Sequence, residues 1–168
     1  LSLLGGHSYS GSNTVEAGKL TLPNHATGTG DIQVDAGASL GIGEVIYDSQ
    51  LSPANVTFDA ASTIDISFTD LGSSIPTNAP LNVTTNLALG GDLTINVSDI
   101  DPETGTLPLI AYAAKSGAGT PVLGLLPENV TGTLQDNGSL ISINITASQA
   151  LAWDGDISGQ WDFSATNW

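Results

Sequence analysis

The chain has no cysteine and no methionine, only two basic residues, and few aromatics. Without Cys there is no disulfide framework, no thiolate nucleophile and no Cys-ligated zinc or iron–sulfur centre. Lys19 and Lys115 stand against 17 acids, giving a net charge of −15. Such a chain repels phosphate backbones and anionic bilayers, which sets nucleic acid and membrane surfaces aside as partners. It contains no apolar run of about 18 residues, so this segment is not expected to insert in a membrane. There is no initiating Met and no basic signal-like region. The opening run Leu1-Ser2-Leu3-Leu4 reads as mid-strand, as in a piece of something longer or a processed product.

What is present is a β-forming composition. Apolar residues make up 40% of the 168, so a core can form, built from Leu, Ile, Val and Ala because aromatics are only 5%. Charged residues are 11%, well below the usual quarter or so. Surface polarity therefore rests on Asn, Thr, Ser and Gly, residues of turns and β-ladders. The acids attract cations, and they keep an otherwise neutral, β-rich surface soluble.

A cadence organises the N-terminal part of the chain, positions 1–70: an apolar residue, an acid, Ala, then Gly or Ala. It reads Val15-Glu16-Ala17-Gly18, Val34-Asp35-Ala36-Gly37 and Phe58-Asp59-Ala60-Ala61. Alternating strands accompany it: Leu20-Thr21-Leu22, Ile32-Gln33-Val34, Leu40-Gly41-Ile42, Val56-Thr57-Phe58 and Ile64 to Phe68. One strand and one turn at a fixed phase, recurring at roughly twenty-residue intervals, predict a coiling β-solenoid. Gly5-Gly6, Gly28-Thr29-Gly30 and Gly41-Ile42-Gly43 read as corners, and the Ala-Gly pairs as small residues that let neighbouring coils approach.

Pro76 and Pro80 break the pattern over residues 71–80. Strands resume at Leu81-Asn82-Val83, Leu87-Ala88-Leu89 and Leu93 to Val97, and Leu107 to Tyr112 reads as a buried strand. Val130 to Leu134 and Leu140 to Ile145 form a hairpin about Asp136-Asn137-Gly138, since Asn-Gly is a strong turn signal. No stretch demands a helix. The expected fold is all-β, with β-solenoid coils over 1–70, continuing strands over 71–150 (more coil, or a small sandwich-like cap), and a Trp-rich tail or junction over 151–168.

That tail holds all three tryptophans, Trp153, Trp161 and Trp168, in a W-D-G…G-x-W-D…N-W string. With Asn13-Thr14-Val15-Glu16-Ala17-Gly18-Lys19-Leu20-Thr21-Leu22, the Gly105–Tyr112 strand, Leu125-Leu126-Pro127 and the Val130–Asn137 run, it resembles the autotransporter-associated β-strand repeat family of large secreted bacterial proteins. The resemblance spans nearly the whole chain. It implies a right-handed parallel β-helix segment in a long, repetitive, secreted or cell-surface protein, with the Trp-rich string beginning the next unit. The family has no established catalytic residues, so none is carried over. No outer-membrane barrel is seen in this segment.

Several constellations bear on chemistry. Asp99, Asp101 and Glu103 alternate within one turn, a spacing of oxygen ligands that suits calcium; the commoner reading is an acidic solvated turn, and the EF-hand spacing is absent. Asp154, Asp156 and Asp162 could gather an ion in the same way. His7 and His25, close to one coil apart, could stack on neighbouring coils as metal ligands, or sit singly on corners. No Ser pairs credibly with either His as a nucleophile. Glu16, Asp35 and Asp59 occupy equivalent positions and would stack as an acid ladder. Paired carboxylates on a coil can cleave glycosides, but this ladder follows from the repeat and has only Lys19 nearby to hold an acidic sugar. Trp153, Trp161 and Trp168 could stack on sugar rings or form a small joint between modules. Six N-x-S/T sequons occur, at Asn55, Asn82, Asn96, Asn129, Asn137 and Asn144, as composition alone would produce.

These readings converge on a non-enzymatic structural module of an extracellular or cell-surface bacterial fibre or layer. Its expected partners are copies of itself or neighbouring repeats, joined by strand and coil stacking. An adhesin-like segment binding glycans or another surface is the alternative, and a polysaccharide-active enzyme ranks last. No cofactor is expected, with calcium the one candidate ion.

Overall fold

The structure, a computed structural model, describes residues 1–3, 5, 8, 10–27, 30–43, 45–68, 75–100 and 104–148. Among them every regular element is a strand, as the composition demands. The chain runs in circuits, each placing a strand first in one parallel sheet and then in a second, with a third sheet joining from the third circuit onward. The first holds β1 (Asn13–Val15) and β2 (Lys19–Pro23), and the second holds β3 (Ile32–Val34) and β4 (Ser39–Gly43). The third holds β5 (Asn55–Phe58), β6 (Thr63–Ser67) and β7 (Leu81–Val83), and the fourth β8 (Asn86–Leu89), β9 (Leu93–Ser98) and β10 (Gly105–Tyr112). The last brings β11 (Lys115–Ser116), β12 (Pro121–Leu123) and β13 (Val130–Asp136), followed by β14 (Leu140–Ser148).

Three sheets result. Sheet 1 has the order β1-β3-β5-β8-β11 and sheet 2 the order β2-β4-β6-β9-β12, both wholly parallel. Sheet 3 starts in the same way, with β7 parallel to β10. Then β14 inserts between β10 and β13, antiparallel to both. The hairpin β13–β14 thus ends parallel stacking on that sheet. The same sheets continue across residues 71–80, since β8 pairs with β5 and β9 with β6.

Period-two alternation turns one set of side chains inward, and the parallel register stacks like upon like. Val15, Val34, Phe58 and Leu89 form one inner column, and Leu20, Leu40, Ile64, Ile95 and Leu123 another. Leu22, Ile42, Ile66 and Val97 form a third, and all four are buried. Each Leu or Ile so buried contributes about 1.5–3 kcal/mol. Leu107–Ile110 of β10 are all buried, and a register shift against β14 between Pro108 and Ile110 interrupts the alternation there.

The cadence marks the corner between sheets 1 and 2. Ala38 N–H donates to Asp35 C=O at 2.9 Å, and Ser62 N–H donates to Asp59 C=O at 3.2 Å, closing four-residue turns. The third turn residue is left-handed: Gly37 has φ 75° and Ala61 has φ 58°. Gly is favoured there by that backbone conformation. It is not required by close packing of coils, because a Cβ at Gly37 would meet nothing within 4 Å. Gly41 to Gly43 is likewise not a corner but the end of strand β4.

Candidate functional site

The corner acids stack as the repeat requires. Asp35 N–H donates to Val15 C=O at 3.0 Å, Asp59 N–H to Val34 C=O at 2.9 Å and Gly90 N–H to Phe58 C=O at 2.8 Å. Glu16, Asp35 and Asp59 therefore occupy successive rungs, and the fourth rung is Gly90. The Asp35 carboxylate accepts from Gln33 Nε2 at 3.3 Å on its own strand.

Other acids, which sequence reasoning passed over, hold one circuit to the next. Asp48 Oδ1 accepts from Thr77 N–H at 2.8 Å, Thr77 Oγ1 at 3.0 Å and Asn78 N–H at 3.1 Å. Asp92 Oδ1 accepts from Thr120 N–H at 3.1 Å and Thr120 Oγ1 at 2.8 Å. Asp31 Oδ1 accepts from Asn55 N–H at 3.2 Å and its amide at 3.0 Å. At Asp48 partial burial works to raise the pKa, and the three hydrogen bonds outweigh it; at Asp92 the Thr120 bonds lead, so both carboxyls sit below their ordinary value. The sequence signal is an Asp followed, one circuit later, by Thr or Asn. Three acids thus join neighbouring circuits.

A second polar row lies on the outer face of sheet 2. Asp65 pairs with Lys19 Nζ at 2.7 Å and accepts from the Asn96 amide at 2.7 Å, while Asn96 Oδ1 accepts from Leu125 N–H at 2.8 Å. The row crosses β2, β6 and β9 and borders a shallow hollow of about 200 Å³. Asn24 joins circuits from inside. It is fully buried, its amide donates to Ile46 C=O and Ser49 C=O, both at 2.8 Å, and its Oδ1 accepts from Ile46 N–H at 2.9 Å.

The anticipated metal and ligand residues fall as follows. Asp99 accepts from Ser67 Oγ at 2.6 Å and Ser98 Oγ at 2.8 Å, which holds its carboxyl below the ordinary range. Asp101 and Glu103 lie outside the described residues, as do His7, Asp154, Asp156, Asp162, Trp153, Trp161 and Trp168. Among the described residues no three His, Asp or Glu side chains gather closely enough to hold a metal ion. His25 Nδ1 is buried without a hydrogen-bond partner. Of the sequon residues, Asn55, Asn96 and Asn137 have their side-chain amides engaged within the chain.

The two ends of the molecule differ. At the C-terminal end, Tyr112 Oη and Lys115 Nζ both donate to Asp136, and Gly138 N–H donates to Asp136 Oδ1 at 3.1 Å. Burial works to raise the Asp136 pKa, but the bonds from Lys115, Tyr112 and Gly138 outweigh it and hold the carboxyl down. Burial, then the Asp136 hydrogen bond, pushes the Tyr112 phenol up to about 12. This cluster fastens the β13–β14 hairpin to the ends of β10 and β11. The neighbouring edge strands are short and carry Lys115 and Pro121, residues that discourage strand addition.

Among the described residues the N-terminal end carries neither device. Leu3 N–H donates to Thr21 C=O and Thr21 N–H to Leu1 C=O, both at 2.9 Å, which adds one rung to sheet 2 above β2. Sheet 1 stops one rung lower, at β1. The step between them is a groove of about 750 Å³, lined by Leu1, Leu3, Val15 and Leu20, by the charged Glu16 and Lys19, and by the outer edge of β1. No family model matches the chain, and comparison with curated proteins and with solved structures gives no match either.

Proposed function

We propose that this chain is a structural module of a bacterial cell-surface or secreted fibre, a segment of right-handed parallel β-helix akin to the autotransporter-associated β-strand repeats, and not an enzyme. The observation that carries the reading is the asymmetry of its ends: a parallel edge beside a groove of mixed polar and apolar lining at β1, and a hairpin closing sheet 3 at the other end. An unpaired parallel edge is a template for one more strand. The acids support the reading from the other side, since Asp31, Asp48, Asp65 and Asp92 spend their carboxylates on bonds between circuits. The corner ladder of Glu16, Asp35 and Asp59 then follows from the repeat, as its in-register stacking requires. Sedimentation velocity and negative-stain microscopy over a concentration series test the proposal. Oligomers or filaments growing with concentration are expected; a chain that stays monomeric at its solubility limit overturns it.

A further inference from the structure

The groove at the N-terminal end is the vacancy of one strand. Leu1 to Leu3 supply the sheet 2 rung above β2, while no described residue of this chain pairs on the sheet 1 position of that rung, directly above β1. β1 is prepared to receive a strand there. Asn13 N–H and Val15 C=O are used toward β3, bonded to Asp31 C=O at 2.8 Å and Asp35 N–H at 3.0 Å. In a parallel strand alternate residues face opposite sides, so the N–H and C=O of Thr14 point to the open edge. Buried Val15 and the half-covered Leu3 form the apolar floor.

The chain contains a segment with the pattern of a sheet 1 strand and its corner beyond the last strand that completes a sheet. Leu151-Ala152-Trp153-Asp154-Gly155-Asp156-Ile157 repeats Leu87-Ala88-Leu89-Gly90-Gly91-Asp92-Leu93, identical at four of seven positions and apolar at both others that face the core in the fourth circuit. The remaining position, Asp154, restores the acid that Asp35 and Asp59 place at that rung and that Gly90 lacks.

We infer that residues 151–157 of one copy add to the edge of β1 in a second copy as a parallel strand, with Leu151 and Trp153 seated in the groove. This deepens the assembly reading and rests on it. The donor is a second molecule because of distance. The open position lies five strand spacings, about 24 Å, above the level of β14. Three residue steps from Ser148 to Leu151 reach only about 10 Å. The contact joins unlike surfaces, tail to groove, so it propagates head to tail. Both partners are acidic, and Asp154 comes to rest above Glu16, so the association strengthens with added salt.

Two full-length variants and one mixture test this, at high ionic strength, by sedimentation velocity. Trp153→Asp spoils the tail and leaves the groove. Thr14→Pro removes the donor that faces the open edge and leaves the bonds to β3. The wild-type chain is expected to form a ladder of oligomers and each variant to run as a monomer with an unchanged melting curve. An equimolar mixture of the two should give a heterodimer and stop there, because one good groove meets one good tail. A synthetic peptide of residues 150–158 should bind W153D one to one and bind T14P at least tenfold more weakly. Wild-type oligomers that persist equally in both variants overturn this inference while leaving assembly intact. A wild type that never associates overturns both.

Discussion

Lys19 and Asp65 lie two circuits apart on sheet 2 and meet at 2.7 Å over the intervening strand β4. Gly41 stands in register between Thr21 and Asp65, and a Cβ there would come within 2.7 Å of Thr21 Oγ1, so the Thr21 side chain fills the space that a larger residue would need. Asp65 also receives the Asn96 amide, so one carboxylate links three rungs.

That geometry separates two contributions. Asp65→Ala removes both bonds and should cost about 1 kcal/mol in denaturant unfolding, most of it from the hydrogen bond with Asn96. Lys19→Met removes only a half-exposed ion pair and should cost less than about 0.5 kcal/mol. Repeating both at high salt checks the division: the Lys19 effect should vanish and most of the Asp65 effect should remain. An Asp65 effect that vanished equally would mean the ion pair dominates.

Asn24 is the more costly residue to lose. Its buried amide satisfies Ile46 N–H and the carbonyls of Ile46 and Ser49 on a part-buried loop. Asn24→Ala leaves those part-buried groups without their partner, and should destabilise by about 1–3 kcal/mol. The denaturant midpoint should fall with the slope unchanged. A loss below about 1 kcal/mol would show that the loop rearranges to find other partners.

Ala61 shows a corner where the repeat departs from its own optimum. Gly18 and Gly37 take the left-handed position of their turns at φ 70° and 75°, while the third copy forces alanine to φ 58°. A non-glycine residue there costs roughly 1–2 kcal/mol, partly offset by the greater freedom Gly gives the unfolded chain. Ala61→Gly should therefore raise stability by about 0.5 kcal/mol, and Gly37→Ala should lower it by a similar amount. Paired thermal melts read both signs, and a destabilised Ala61→Gly would sink the account.

What the sequence disclosed was local. The corner cadence was legible because the acid, the small residue and the left-handed residue are neighbours in the chain. The β13–β14 hairpin was legible because Asn137-Gly138 carries its own turn: Gly138 has φ 93°, and Asn137 Oδ1 accepts from Leu140 N–H at 2.9 Å. Pairing between circuits was not legible past the third copy. In sheet 1, Asn13 pairs with Ile32, Ile32 with Val56, Val56 with Leu87 and Leu87 with Lys115, so the step along the chain changes with every circuit. Loops absorb the difference, and a fixed period finds neither Asp48 with Thr77 nor Asn24 with Ile46. Gly41 misled for a related reason: it lies inside a strand against the Thr21 side chain of the neighbouring circuit, and does not turn the chain. The groove at β1 exists only because two sheets end at different heights, which no pattern within one strand records.

The Tyr112–Asp136 pair makes stability depend on pH at both extremes, with opposite signs. The Asp136 carboxyl is held below its ordinary value in the folded chain. Its contribution is therefore fully present above the unfolded value, about 3.9, and is lost as pH falls through the lower folded value. The Tyr112 phenol is raised to about 12. Its contribution is fully present below the unfolded value, about 10, and is lost as pH rises toward the folded one. Tyr112→Phe should flatten the alkaline decline between these two values and leave most of the acid limb, because Lys115 still donates to Asp136. Asp136→Asn should flatten the acid limb and lower the Tyr112 pKa as well, which ultraviolet titration of the phenolate would report. If the hairpin is fastened by this cluster, both variants also loosen β13 and β14 first, so their amides should exchange with solvent faster while those of β4 and β6 do not. Uniform acceleration across all strands would show instead that the cluster stabilises the molecule as a whole.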